Sequence, residues 1–203
     1  MFVLVLTGGA GAGKSEAGRF FSQRGAVVVD LDDVAKDMIE PKGPAYEAVV
    51  AEFGRGILDR DGRVRTAALA AAAFADAEAT RRLNAAVHPH VTAEVRRLLG
   101  ALAALPEPPA VVVLEVPLVT EVPEIAESAD HVLTLEADPR VRVARLTARG
   151  MEESDALRRL ARQGTEEERV ALADSVIRND GGSDELHGQL AAFWAREVVP
   201  HVA

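Results

Sequence analysis

The sequence predicts an α/β fold with a five-stranded parallel sheet flanked by helices, and three observations carry that expectation. Short Val- and Leu-rich runs recur along the 203 residues, with helical pattern between them. The first run leads without a break into a glycine-rich segment ending in Lys14 and Ser15. A stretch of about eighty residues between the second and third runs is far too long for one crossover, and its pattern is helical.

The strand-like runs lie at 3–6, 26–29, 110–116 and 131–135, with a shorter fifth at 175–177. They are continuously apolar over four to seven positions, as expected for strands covered on both faces. Strands separated by helices imply parallel pairing through right-handed crossovers. Between the second and third runs the pattern predicts helices at 46–53, at 66–82 and from about 88 to 105, where Pro89 would be the first helical residue and His88 its cap. A second helical block, 139–173, carries several arginines and precedes the last strand. Trp194 reads as a packing residue on the final helix. The organisation expected is one domain over 1–203: a core of about 1–34, 108–138 and 174–203, a helical insertion at about 35–107 on the acceptor side, and a lid at about 139–173.

Composition bounds the chemistry. A hydrophobic content of 48% supplies a sizeable core, and 23 Lys plus Arg against 32 Asp plus Glu give a net charge of -9. That balance argues against a nucleic-acid partner, which needs a basic face. Without cysteine, disulfides and thiolate metal sites are excluded. The first apolar run lacks a basic n-region and feeds a loop, so it reads as a strand and not a signal peptide. The apolar stretch 98–114 is interrupted by Glu107 and three prolines, so no membrane partner is expected and a cytoplasmic location is.

Residues 8–15, Gly-Gly-Ala-Gly-Ala-Gly-Lys-Ser, fit the phosphate-loop pattern G-x-x-x-x-G-K-[ST]. Backbone amides of such a loop point inward and form a concave nest for polyphosphate oxygens, and a helix starting near Gly13 adds its positive N-terminal end. Gly9, Ala10, Gly11, Ala12, Gly13, Lys14, Ser15 and Glu16 are therefore the expected nucleoside triphosphate contacts, with Lys14 on the β- and γ-phosphates and the Ser15 hydroxyl on Mg²⁺. The fold class is that of the P-loop NTPases. Phosphoryl transfer further needs an aligned acceptor and often a carboxylate for its proton. The second strand runs into Asp30-Leu31-Asp32-Asp33, and in an extended segment Asp30 and Asp32 would face one side. A base there and a helix cap for the segment from Val34 are equally good readings of this run, and Asp33 is the preferred cap. Glu115, at the end of the third strand, reads equally as a metal or acceptor ligand and as a strand-end acid paired with a cation. Arg142, Arg145 and Arg149 fall on one helix face, where guanidinium forks suit phosphate. His88-Pro89-His90 has poor spacing for zinc.

The motifs, taken together, resemble the dephospho-coenzyme A kinase family. The likeness begins at Leu6–Ser15, similar to L-T-G-G-I-G-S-G-K-S, and continues in Val29-Asp30-Leu31-Asp32 and Glu40-Pro41 with Gly43-Pro44. It extends through Asn84–Pro89, with its H-P step, and Val116-Pro117-Leu118 with Glu121. Gln163, Arg169, Ala173-Asp174, Val176-Ile177, Asn179 and Gly181 complete it, so the series spans residues 3–182 in order. The resemblance implies transfer of the ATP γ-phosphoryl to the 3′-hydroxyl of dephospho-coenzyme A, with ATP and Mg²⁺ required. It implies Asp32 and Lys14 as catalytic residues, Arg145 and Arg149 as lid contacts to ATP, and Asn179 near the adenine. Asp32, His88, Pro117 and Leu118 would meet the acceptor. Four positions depart from the family pattern: Thr66 stands where an arginine is usual, with Arg63 or Arg65 as substitutes, Glu16 replaces a threonine, Thr120 an apolar residue, and Arg142 a glutamine.

Competing readings are a kinase for a nucleoside monophosphate or shikimate, a nucleotide switch, and a non-catalytic scaffold. The Asp30/Asp32 pair weighs against an acceptor that carries phosphate. A GTPase switch would need N-K-x-D, and the lysines are only Lys14, Lys36 and Lys42. Retention of Lys14, Ser15 and Asp32 weighs against a scaffold. Oligomeric state is not encoded in any motif.

Overall fold

A computed structural model describes residues 1–117 and 119–202, and the chain divides into two compact units, 1–30 with 102–203, and 31–101. The first unit holds the sheet. Its strands are β1 (Phe2–Gly8), β2 (Val27–Asp30), β3 (Val111–Glu115), β4 (His131–Glu136) and β5 (Ser175–Arg178), in the order β2-β3-β1-β4-β5. All four pairings are parallel. Each expected strand is present, with bounds moved by one or two residues. Burial departs from expectation at the margins: β1, β3 and β4 are buried almost throughout, whereas β2 and β5 are edge strands with exposed positions. A run of valines does not reveal whether its strand lies centrally or at an edge, since both read as continuous apolar pattern.

The main core of this unit lies between the sheet and helices α1 (Lys14–Ser22) and α10 (Ser183–Phe193). Leu4, Leu6, Leu133 and Leu135 from the sheet pack with Phe21, Leu186, Leu190 and Phe193. Each such side chain contributes about 1.5–3 kcal/mol by leaving water. Trp194, in the turn of π-helix that follows α10, stacks on Phe21 with ring centroids 5.6 Å apart, the packing role expected of it. The arginine-rich block forms α7 (Pro139–Ala148), α8 (Glu153–Arg162) and α9 (Glu166–Ala171). Asp138 caps α7 by accepting from the Arg140 amide, with Pro139 in its first turn. Thr165 and Glu168 close a capping box on α9. The short α6 (Pro123–Glu127) precedes β4, and α11 (Val199–Val202) ends the described chain.

The second unit is helical: α2 (Leu31–Ile39), α3 (Tyr46–Phe53), α4 (Thr66–Ala73) and α5, which starts at Ala77 and runs on to Ala103. Four expectations are corrected here. Leu31 already begins α2, so Asp30 and Asp32 do not share an extended segment. Asp32 and Asp33 lie in the first turn, where acids favour the helix dipole, and Asp33 pairs with Lys36 at 2.6 Å instead of capping a helix at Val34. The helix expected over 66–82 breaks at 74–76, where Asp76 accepts the Ala79 amide at 2.7 Å and starts α5. Pro89 is an interior residue of α5 and not its first, so His88 sits mid-helix and caps nothing. In the irregular stretch before α4, Arg65 donates to the Gly56 carbonyl at 2.7 Å and the Tyr46 hydroxyl to that of Gly62 at 2.6 Å. Among the described residues no helix is long and apolar enough to cross a membrane, and no His/Asp/Glu cluster could hold a metal.

Candidate active site

The phosphate loop connects the central strand β1 to α1, at the carboxyl ends of the strands, where ligands bind in open α/β sheets. Its two outer glycines are obligatory. Gly8 has φ 140°, and a Cβ there would lie 2.2 Å from the Leu135 carbonyl oxygen. Gly13 has φ 111°, with the Asn179 amide nitrogen 2.4 Å from where its Cβ would be. The Ala12 amide closes a turn on the Gly9 carbonyl at 3.1 Å. The amides of Gly11, Gly13 and Ser15 donate to no group among the described residues. Three such donors around a concave turn form an anion nest. Lys14 Nζ lies 2.6 Å from the Gly8 carbonyl oxygen, which holds the ammonium at the mouth of the loop. The Ser15 hydroxyl is exposed in the first turn of α1.

Beside the nest opens a cavity of about 370 Å³ lined by Gly13, Glu16, Arg145, Arg149, Asn179 and Gly181, among others. Arg145 donates to the Asn179 carbonyl and the Gly181 carbonyl, each at 2.8 Å, and more weakly to Gly11 O at 3.4 Å and Asn179 Oδ1 at 3.3 Å. Asn179, itself buried, donates to the Ala12 carbonyl at 2.8 Å. Arg149 is exposed at the end of α7. Glu16 accepts from Ser183 and lies 3.3 Å from His187 Nε2. The structure therefore brings together the loop residues, Arg145, Arg149 and Asn179.

Glu115 and Asp30 are register partners at the ends of β3 and β2. The Glu115 carboxylate leans on α1, where a Cβ on Gly18 would meet its Oε1 at 1.7 Å. Asp32 is exposed in the first turn of α2, and His88 is half-buried on α5. Pro117 follows β3 and Val116, and Leu118 lies outside the described residues.

Behind the loop, one expectation is corrected: Arg142, expected with Arg145 and Arg149 to suit phosphate, is spent instead on the Ala10 carbonyl and Gln163 Oε1, and sequence reasoning gives Glu136 no role. Arg142 is buried, and its Nε donates to the Ala10 carbonyl at 2.9 Å. Burial pushes its guanidinium below the ordinary arginine range, with the nearby Arg169 charge acting the same way and Glu136 opposing. Arg169 and Glu136 form a bidentate pair at 2.7 Å on both arms, each side chain at most 2% exposed. The Glu136 bond holds Arg169 above its ordinary range despite burial. Thr134 adds a hydrogen bond to Glu136 Oε1 at 3.0 Å. The one available signal was the Gln163 and Arg169 spacing, which carries no chemistry by itself.

A family model described as dephospho-CoA kinase matches residues 2–185. A dephospho-CoA kinase of Streptomyces avermitilis is 41% identical over 196 residues, covering 96% of this chain and 93% of that protein. One from Frankia casuarinae is 39% identical, covering 96% and 82%. Among solved structures, TT1252 from Thermus thermophilus superposes with a TM-score of 0.76 at 31% identity, covering 97% of each chain. A dephospho-CoA kinase from Campylobacter jejuni gives 0.70 at 18% identity with 98% of each chain covered, a likeness of fold.

Proposed function

Because the chain belongs to the dephospho-CoA kinase family, we propose that it transfers the γ-phosphoryl group of ATP to the 3′-hydroxyl of dephospho-CoA, giving CoA and ADP. The observation that carries this reading is the nest: amides at Gly11, Gly13 and Ser15 that donate to no group among the described residues, with the Lys14 ammonium at its mouth. Preorganised donors of this kind stabilise charge on the transferring phosphoryl oxygens without reorganising during the step. The triphosphate lies over the loop from Gly9 to Ser15, with Lys14 on the β- and γ-phosphates and Glu16 at its inner rim. The adenosine end enters the cavity beside Asn179, under Arg145 and Arg149. Residues 139–173 act as the lid and 35–107 as the acceptor-binding insertion. His88, Pro117 and Leu118 contact the acceptor.

In the transfer, Asp32 takes the proton of the 3′-hydroxyl as that oxygen forms its bond to the γ-phosphorus. The bond from the γ-phosphorus to the β–γ bridging oxygen breaks, and ADP leaves. The Ser15 hydroxyl, exposed beside the nest and bonded to no described group, fits an oxygen-ligated divalent cation, and Mg²⁺ bound there with phosphate oxygens would neutralise developing charge. Both substrates are small molecules, and the reading places the enzyme in the cytoplasm.

The test is an acceptor panel with ATP and Mg²⁺: dephospho-CoA, CMP, AMP and shikimate, scored by phosphorylated product. Dephospho-CoA is expected to turn over far faster than the rest. Equal or greater turnover on any other acceptor refutes the assignment.

A further inference from the structure

In the phosphate loop, Ala10 is gripped by side chains at both its amide and its carbonyl. Gln163, the residue that ends α8, accepts the Ala10 amide hydrogen at 2.8 Å. The same Oε1 accepts from Arg142 Nη2 at 2.8 Å, and Arg142 Nε closes the ring on the Ala10 carbonyl at 2.9 Å. Both polar groups of Ala10 are thereby engaged by side chains, whereas the amides of Gly11, Gly13 and Ser15 donate to no group among the described residues. The fit is close, since a Cβ on Gly9 would lie 2.1 Å from Arg142 Nη2.

The ring is rooted in the core. Arg169 Nη1 donates to the carbonyl of Gly164, the residue after Gln163, at 2.5 Å, and its other two donors hold Glu136. A continuous chain of bonds therefore runs from a buried carboxylate at the end of β4, through α9 and the end of α8, to the back of the loop. A buried guanidinium that loses an acceptor is costly, so this arrangement favours one loop conformation over its alternatives.

We propose that Gln163 is a positioning residue for the phosphate donor: by bridging Ala10 and Arg142 it fixes the curl of the loop that presents the nest amides. It touches no substrate and acts through the loop. The inference rests on the proposed use of that nest for ATP. It predicts a selective effect on the donor, whereas a side chain that merely filled space at the helix end would affect both substrates or neither.

Gln163→Met keeps the length and removes the acceptor, while Gln163→Glu keeps an acceptor oxygen for both bonds. Calorimetric titration with ATP and Mg²⁺, without acceptor, and steady-state kinetics on dephospho-CoA read the two variants. Gln163→Met is expected to weaken ATP binding about tenfold and raise the ATP KM alike, with the dephospho-CoA KM within about twofold of wild type. Gln163→Glu is expected to restore ATP affinity to within about threefold. If Gln163→Met does not fold by circular dichroism, Gln163→Asn, one methylene too short to reach both partners, replaces it with the same expected split. ATP affinity unchanged in the variant lacking the acceptor, or equally weak in Gln163→Glu, overturns the proposal. The expected loss of ATP affinity in Gln163→Met, together with a wild-type protein that fails to phosphorylate dephospho-CoA, would sink the acceptor assignment and leave the role of Gln163 standing.

Discussion

Each unit is held together internally by its own kind of bond. In the sheet unit, side chains far apart in sequence bind main-chain groups: Arg145 and Asn179 reach loop carbonyls more than 130 residues away, and Arg142 and Gln163 grip Ala10 across similar separations. Among the described residues of the helical unit, ion pairs such as Lys36–Asp33 and Arg81–Glu78 are local and exposed, three residues apart, while Arg82–Glu52 spans a longer range. Exposed pairs of this kind contribute about 0–1 kcal/mol each. The donor side is thus built in advance by its own long-range network, while the acceptor side depends on helix packing and a few side chains at helix starts. Binding of ATP and alignment of the acceptor should therefore fail separately.

Asp32→Asn gives the largest expected separation. It should lower kcat by about 10²–10⁴-fold if Asp32 takes the acceptor proton, while ATP affinity measured by titration stays near wild type. Loss of ATP affinity with little change in kcat would place Asp32 on the donor side and break the division.

Arg169→Met tests the other unit. It leaves Glu136 buried without its partner, which should destabilise the fold by about 3–5 kcal/mol, read from denaturant unfolding. The double variant Glu136→Leu with Arg169→Met should recover much of that loss, because the uncompensated charge is gone. If the single variant costs less than about 1 kcal/mol, the Arg169–Glu136 pair contributes little to the fold and does not root the loop.

Much of this was legible from the chain. The five strands and the phosphate loop follow from apolar runs and glycine spacing, and the spacing of Arg142, Arg145 and Arg149 correctly placed them on α7 or at its end. Other features were hidden for definite reasons. An Asp-Asp pair after a strand suits both an extended end and a first helical turn, and only packing decides for the helix at Leu31. The alanine-rich run after Thr66 has too little amphipathic contrast to reveal the break at Phe74. Gln163 is a lone polar residue, and nothing local announces that its amide crosses to Ala10. Contacts between distant residues leave no periodicity.

Pro89 offers the smallest and most local test of the acceptor side. Proline has no amide hydrogen, so the Ala85 carbonyl lacks its usual helical partner, and the ring crowds the preceding turn, at a cost of up to about 3 kcal/mol relative to alanine. Two terms reduce that cost. Ala85 and Pro89 are both exposed, so water can serve the carbonyl, and proline also restricts the unfolded chain by roughly 0.4–1 kcal/mol. Pro89→Ala should therefore stabilise α5 by about 1–2 kcal/mol, seen as slower hydrogen exchange over 85–93 and a higher melting temperature. The residue before it is His88, proposed here as an acceptor contact. If the opened turn sets the pose of His88, the same variant should raise the dephospho-CoA KM and leave the ATP KM unchanged. A stabilised helix with both constants unchanged would detach Pro89 from function, and a destabilised one would show that neighbouring packing requires the break in the hydrogen-bond ladder.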